Sequence, residues 1–323
     1  MTRRYEAAAT ASGARMFSQA AIESAAPDLV TWVLAQKARE AGVGAGHVSV
    51  AADISAAPSG GTLASAIHLF GTYSPAEARA ASAPFAISPV PNPTRRPRPS
   101  LWTRLTGLRT IPGLGRVTSS IAQGMDSLII ERSWGLYQSV PSLKNHSYGD
   151  NFTWGEYMSA PSAVRGAAMH VGLAVGGLFL LLAPVRWVLG KLVTAQGSGP
   201  EEESTRGDTI RYRGVAGATN GGKPKVYCEA EFQGSMYTCE SSSPLLPLLF
   251  PLSSPLTYQC GCMSKKLNKR KVSAILIAQA ALTLLQDDVD LPAGGCFTPA
   301  CLGQGFVDRV ARHGFSIEAR LLD

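Results

Sequence analysis

Apolar residues recur along this chain with two periods, and one long stretch shows neither. Leu29, Val30, Val33, Leu34 and Ala38 keep three- and four-residue spacing, which predicts a helix from Pro27 to about Glu40. Proline suits a first helical turn, and Asp28 would face the positive end of that helix. Residues Glu6 to Ala14 are alanine-rich and helix-prone, and Ala14 to Ser18 reads as a short strand. Alternation at His47–Ile54 predicts a strand, followed by a Ser59-Gly60-Gly61-Thr62 turn and a helix over Ser65–Phe70. Ser127–Arg132 also reads as a strand, and Thr209–Val215 and Lys225–Phe232 as a strand pair. Ser147–Tyr157 is a turn-rich aromatic stretch. Helices are expected at Ala274–Leu285 and at Thr298–His313, the latter closed by Gly314. The predicted class is α+β: a mixed or antiparallel sheet with packed helices, plus one long apolar helix.

That helix is Gly166–Val185, a run of 20 residues interrupted only by His170. As a helix it reaches about 30 Å, the thickness of a bilayer core. Its nine Leu, Val and Phe residues contribute roughly −3 to −5 kcal/mol of insertion free energy. His170, Pro184 and four glycines oppose insertion, while Arg165 precedes the run and Arg186, Trp187 and Lys191 follow it. A spanning helix and a buried core helix are both compatible with this balance. The adopted reading is a helix over 166–190 lying on a membrane or lipid-droplet surface. Its expected lipid contacts are Leu173, Leu178, Phe179, Leu180, Leu181, Leu182 and Val185.

Composition refines the picture. Charged residues are 16% of the 323, against about 25% in ordinary proteins, which excludes a highly charged disordered chain. Of the net charge of +7, six units come from Arg95, Arg96, Arg98, Arg104, Arg109 and Arg116, with no acidic residue between Val90 and Met125. Residues 91–118 are therefore expected to be an Arg/Pro-rich loop, able to add about 1 kcal/mol per basic residue near anionic lipid. So mild an excess does not point to nucleic acid. Prolines 244, 247, 251 and 255, followed by five basic residues in Lys265–Lys271, mark 235–272 as an irregular insertion. Six cysteines are too few for a disulfide scaffold, and the N-terminus lacks a secretory apolar core, so an intracellular setting is expected.

Candidate chemistry is sparse. Gly42-Val-Gly44-Ala-Gly46 follows a helix, and Gly113-Leu-Gly115 lacks a third glycine, so neither is a dinucleotide fingerprint. No Walker A sequence, CxxC pair, HxxxH or GxSxG elbow occurs. No metal site and no catalytic or cofactor-binding residue is assigned. Ser59–Thr62 lies between a strand and a helix, where glycines permit close backbone approach and a hydroxyl caps the helix. It is either a ligand pocket or a plain cap.

Seven stretches taken in order resemble the C-terminal part of the saccharopine dehydrogenase-like oxidoreductases, which include the trans-acting enoyl reductases. They are AIESAAPDL (21–29), PSGGTLAS (58–65), PFAISP (84–89), MDSLIIERS (125–133), YGDNFTWGEYM (148–158), GPEEE (199–203) and GGCFTPA (294–300). The resemblance implies NAD(P)-linked reduction of a small lipid-like substrate. It also implies a dinucleotide-binding domain of Rossmann type, of which residues 1–40 would be the end, so this chain alone would not bind NAD(P). Residues 41–234 and 273–323 would form the substrate domain. Pocket candidates on this reading are Glu23, Ser24, Asp28, Ser59, Gly60, Gly61 and Thr62. Two departures stand out. The family's Cys-Gly-Phe-Asp-Ser is here Ala20-Ala-Ile-Glu-Ser24, and its Asp-Pro-Gly-Tyr stretch is replaced by 235–272. The alternative is a non-catalytic, membrane- or lipid-droplet-associated module in lipid metabolism.

Overall fold

A computed structural model describes residues 2–55, 60–94, 98–192, 208–218, 225–233 and 272–322. The insertion expected at 235–272 lies almost wholly outside these residues. In chain order the elements are α1 (Thr2–Ser12), β1 (Arg15–Phe17), α2 (Ile22–Glu40), β2 (His47–Ile54), α3 (Gly60–Thr72), α4 (Pro75–Ala81) and α5 (Leu101–Thr106). Then come β3 (Arg109–Ile111), β4 (Gly115–Ser119), α6 (Gln123–Ser139), β5 (Thr153–Ser159), α7 (Ala163–Leu180) and α8 (Ala183–Leu192). The remainder is β6 (Thr209–Ala218), β7 (Val226–Gln233), α9 (Val272–Gln286), β8 (Gly295–Phe297), α10 (Gly303–Ala311) and β9 (Phe315–Leu321).

Seven strands form one mixed sheet in the order β3-β4-β5-β2-β6-β7-β9. Only β2 and β5 run parallel, pairing His47–Ala52 with Thr153–Met158; the other neighbours are antiparallel. A second, two-stranded sheet pairs β1 with β8. The α+β class and mixed sheet expected from the pattern are what forms.

One face of the large sheet is dry. Leu29, Val30 and Leu34 of α2 are fully buried with Ile210, Tyr212, Ala230 and Phe232 of β6 and β7. The close approach depends on Gly214 in β6, where an added Cβ would lie 2.6 Å from Leu34 Cδ1. The opposite face has a small apolar patch (Ala51, Leu114, Val117, Tyr157 and Val215) and then ion pairs. Arg213 bonds Asp53 at 3.0 Å, and Arg211 pairs with Glu229. An antiparallel sheet tolerates one wet face in this way.

Four expectations need correction. Ser127–Arg132 is helical, inside α6: Ile130, Trp134 and Tyr137 continue a helical stripe that a six-residue window does not reveal. Helix α2 begins at Ile22, not Pro27, because burying Ile22, Ala25 and Ala26 outweighs the one hydrogen bond that Pro27 removes. Of Ser147–Tyr157, expected to be turn-rich, residues 153–157 belong to the central strand β5, in which Gly155 lies 2.8 Å, as an added Cβ, from Tyr157 Oη. Thr298–His313 is a 3₁₀ turn at Pro299–Leu302 followed by α10, which opens on Gly303 at φ +67°.

Candidate functional site

Helix α7 rests on β4 at its start, and from there α7 and α8 are largely exposed. Helix α7 is long and apolar enough to cross a membrane, with a mean hydropathy of 1.5 and only 6% of its residues buried. The apolar run does not continue as one helix to Val185 or beyond. It breaks at Leu181–Leu182 because Pro184 has no N–H to offer the Leu180 carbonyl. Arg186 Nη1 fills that position, donating to the carbonyls of Leu180 and Leu181 at 2.8 Å each. Of the seven expected lipid contacts, Leu178, Phe179, Leu181 and Leu182 are exposed. Leu173, Leu180 and Val185 are half-buried, so they face partly toward the protein. The sequence reading missed Val171, Val175, Trp187, Val188 and Leu192, which are also exposed. Lys191 Nζ sits 3.7 Å from the centre of the Trp187 ring.

Residues 91–118 are not simply a loop. They include α5 and the β3–β4 hairpin, and α5 lies against α7. Likewise α3 lies against α8, where Gly71 admits the Arg186 side chain at 3.4 Å from an added Cβ. These four helices fall within three acid-free stretches of sequence, 54–76, 78–125 and 157–200. The result is a helical layer whose charges are all positive and whose large apolar side chains point outward.

A buried polar cluster adjoins that layer. Asp126 opens α6 and Glu156 lies on β5, and each is 1% exposed. The Ser24 hydroxyl, at the start of α2, donates to Asp126 Oδ1 at 2.6 Å and lies 2.7 Å from the Gln19 side-chain carbonyl. The Ser120 hydroxyl donates to Glu156 Oε1 at 2.5 Å. Asp126 Oδ2 and Glu156 Oε2 are both buried with no other donor. A proton carried by Asp126 and given to Glu156 satisfies both oxygens. Burial, then the Glu156 charge, pushes the Asp126 carboxyl up to about 9; burial raises Glu156 as well. At neutral pH the pair therefore keeps a proton in a dry site. Tyr212, itself fully buried, feels the charges of Glu156, Asp126 and Glu23.

The link between cluster and layer is short. Ser119, next to Ser120, donates to His170 Nδ1 of α7 at 2.9 Å. His170 Nε2 in turn donates to the Arg104 carbonyl of α5 at 3.2 Å.

The other pocket candidates divide. Ser24 joins the carboxyl pair, and Glu23 is exposed beside it. Asp28 does not open to solvent. It is fully buried one helical turn further on, accepting from the Ser133 hydroxyl at 2.7 Å and the Ala300 N–H at 2.8 Å. Burial raises its carboxyl to about 7. Its role is to tie α2 to α6 and to the turn after β8. Ser59 lies outside the described residues, while Gly60, Gly61 and Thr62 form the first turn of α3, the next described element after β2. Asp126, Glu156 and Ser120 went unrecognised in the sequence.

A dinucleotide does not fit the two described glycine turns. Gly42–Gly46 joins a helix to a strand, and Gly113 lies in the tight turn of a β-hairpin, so neither presents a helix N-terminus to a pyrophosphate. Among the described residues, no three His, Cys, Asp or Glu side chains converge as a metal site. No family model, curated protein or solved structure matches the chain.

Proposed function

We propose that this protein docks on an intracellular phospholipid surface, a membrane or a lipid droplet, through α7 and α8, and handles a lipid-like molecule there. The observation that carries this reading is the outward apolar surface of an acid-free helical layer. Nine exposed Leu, Val and Phe side chains on α7, α8 and the break between them offer roughly −3 to −5 kcal/mol on transfer to lipid. The break at Leu181–Leu182, where Pro184 stops α7 before the apolar run ends, favours a helical pair dipping into one leaflet over one straight span. Arg165 and Lys191 are placed to reach headgroups from the two ends of the pair, while Arg186 stays on the carbonyls of the break. Flotation with phosphatidylcholine vesicles tests this. The chain rises with the vesicles, and a variant with Leu178, Phe179, Leu181 and Leu182 changed to Ser stays at the bottom. A soluble chain that never rises refutes it.

A second reading has its own support. The protonated Asp126–Glu156 pair, with Ser24, lies where α6 meets β5, next to the parallel strand β2, and two hydrogen bonds from α7. It suits the substrate domain of a saccharopine dehydrogenase-like oxidoreductase, in which a carboxylic acid supplies a proton to a lipid-like substrate. Hydride would come from NAD(P) bound by a separate domain, as the resemblance implies. The purified chain alone is then expected to leave NADPH unoxidised, and NADPH consumption by it would overturn that assignment.

A further inference from the structure

We propose that α5 is an interfacial anchor selective for anionic phospholipid, with Trp102 at headgroup depth and Arg98, Arg104 and Arg165 on lipid phosphates. The inference rests on the docking of α7 and α8 described above.

Helix α5 is oddly built for a soluble protein. Leu101, Trp102 and Leu105 are 70%, 67% and 64% exposed, so half of its six residues are large apolar side chains in solvent. It is nonetheless well defined. The Ser100 hydroxyl accepts from the Thr103 N–H at 3.1 Å, and Gly107 closes the helix in the left-handed region at φ +72°. Gly107 also lets the His170 ring approach, since an added Cβ would lie 2.5 Å from His170 Cγ. With the bond from His170 to the Arg104 carbonyl, this clamps α5 to the N-terminal half of α7.

The clamp sets a depth. His170 precedes the exposed Leu178–Leu182 tip by eight to twelve residues. At about 1.5 Å rise per residue that is roughly 12–18 Å, close to half of a bilayer's hydrocarbon thickness. When the tip reaches the middle of the bilayer, α5 lies at the headgroups, the level where tryptophan is enriched. The charge fits the same place. Among the described residues no carboxylate pairs with Arg98, Arg104 or Arg165. Guanidinium groups bind phosphate through paired hydrogen bonds, so such arginines suit an anionic leaflet.

Intrinsic fluorescence can test this in the full chain. Of the five tryptophans, Trp32, Trp134 and Trp154 are buried and only Trp102 and Trp187 are exposed. In the Trp187→Phe chain, lipid quenching therefore reports on Trp102. Vesicles of phosphatidylcholine, with or without phosphatidylserine, carry bromine either near the carbonyl or deep in the chains. Trp102 is expected to be quenched best by shallow bromine, and binding to strengthen with phosphatidylserine. Changing Arg98, Arg104 and Arg165 to Gln should weaken binding to phosphatidylserine vesicles by on the order of a hundredfold, about fivefold for each charge, and weaken phosphatidylcholine binding much less. Quenching of Trp187 in the Trp102→Phe chain with Trp102 left unquenched would overturn the anchor while preserving the α7–α8 dock. Binding indifferent to phosphatidylserine would overturn the selectivity. If neither tryptophan is quenched, the anchor and the dock fail together. Protection of Trp102 by self-association without vesicles would assign α5 to a protein interface instead.

Discussion

Replacing Asp126 by Asn should remove a pH dependence from folding. The folded chain holds the Asp126 proton up to about pH 9, whereas an unfolded aspartate releases it near 3.8. Between those values the folded state binds one more proton than the unfolded state, so stability falls as pH rises, by about 1.4 kcal/mol per pH unit. From pH 6 to pH 8 that amounts to about 3 kcal/mol, a large part of the 5–15 kcal/mol typical of a domain. Asp28 adds to the slope only at lower pH, since its carboxyl is raised to about 7. The amide introduced by Asp126→Asn keeps an acceptor for the Ser24 hydroxyl and presents an N–H to Glu156 Oε2, as the shared proton does. It does not titrate. Urea unfolding followed by the fluorescence of the buried tryptophans, at half-unit steps from pH 6 to 8.5, measures both chains. The wild type should lose stability steeply and Asp126→Asn nearly one proton less so, with the variant the more stable at pH 8.5. Parallel curves for the two chains would refute the shared proton.

Other consequences follow from the packing. Gly214→Ala places a Cβ 2.6 Å from Leu34 Cδ1 and 3.0 Å from Val30 Cγ1, so α2 must shift; a loss of about 1–3 kcal/mol in urea unfolding is expected. Asp28→Ala leaves the Ala300 N–H without its acceptor in the core, while the Ser133 hydroxyl keeps the Ile129 carbonyl, and should cost about 1–3 kcal/mol by the same assay. Cys228, Cys296 and Cys301 are buried with their thiols pushed up by that burial, Cys301 to about 11. Mass-mapped labelling with a thiol reagent at pH 8 should miss all three until the chain is unfolded.

How much of this was legible depended on whether the signal was local. Strands β2, β6 and β7 and helices α2 and α9 were readable because alternation or helical spacing persists through each of them. Strand β5 was hidden by its composition: Gly155 and the residues before Thr153 look like a turn, and only pairing with β2 makes the segment central. Helix α5 was masked by the arginines and prolines around it, although Ser100 and Gly107 are ordinary start and stop signals in hindsight. The apolar character of α7 was plain. Its break at Leu181–Leu182 was signalled by Pro184, but the role of Arg186 in closing it needs three dimensions. The carboxyl pair was out of reach, because residues 126 and 156 come together only when α6 folds over β5. Ser24 was picked out by resemblance alone, and its contact with Asp126 supplies a physical reason for it.

The central claim is that α7 and α8 enter lipid, and Trp187 reports on it most directly. In a Trp102→Phe chain, Trp187 is the one exposed tryptophan, because the other three are buried in the body of the protein. Its fluorescence should shift to the blue and be quenched by brominated phosphatidylcholine, while a chain with Leu178, Phe179, Leu181 and Leu182 changed to Ser shows neither change. Emission that stays red and unquenched at saturating vesicle concentrations would contradict the account.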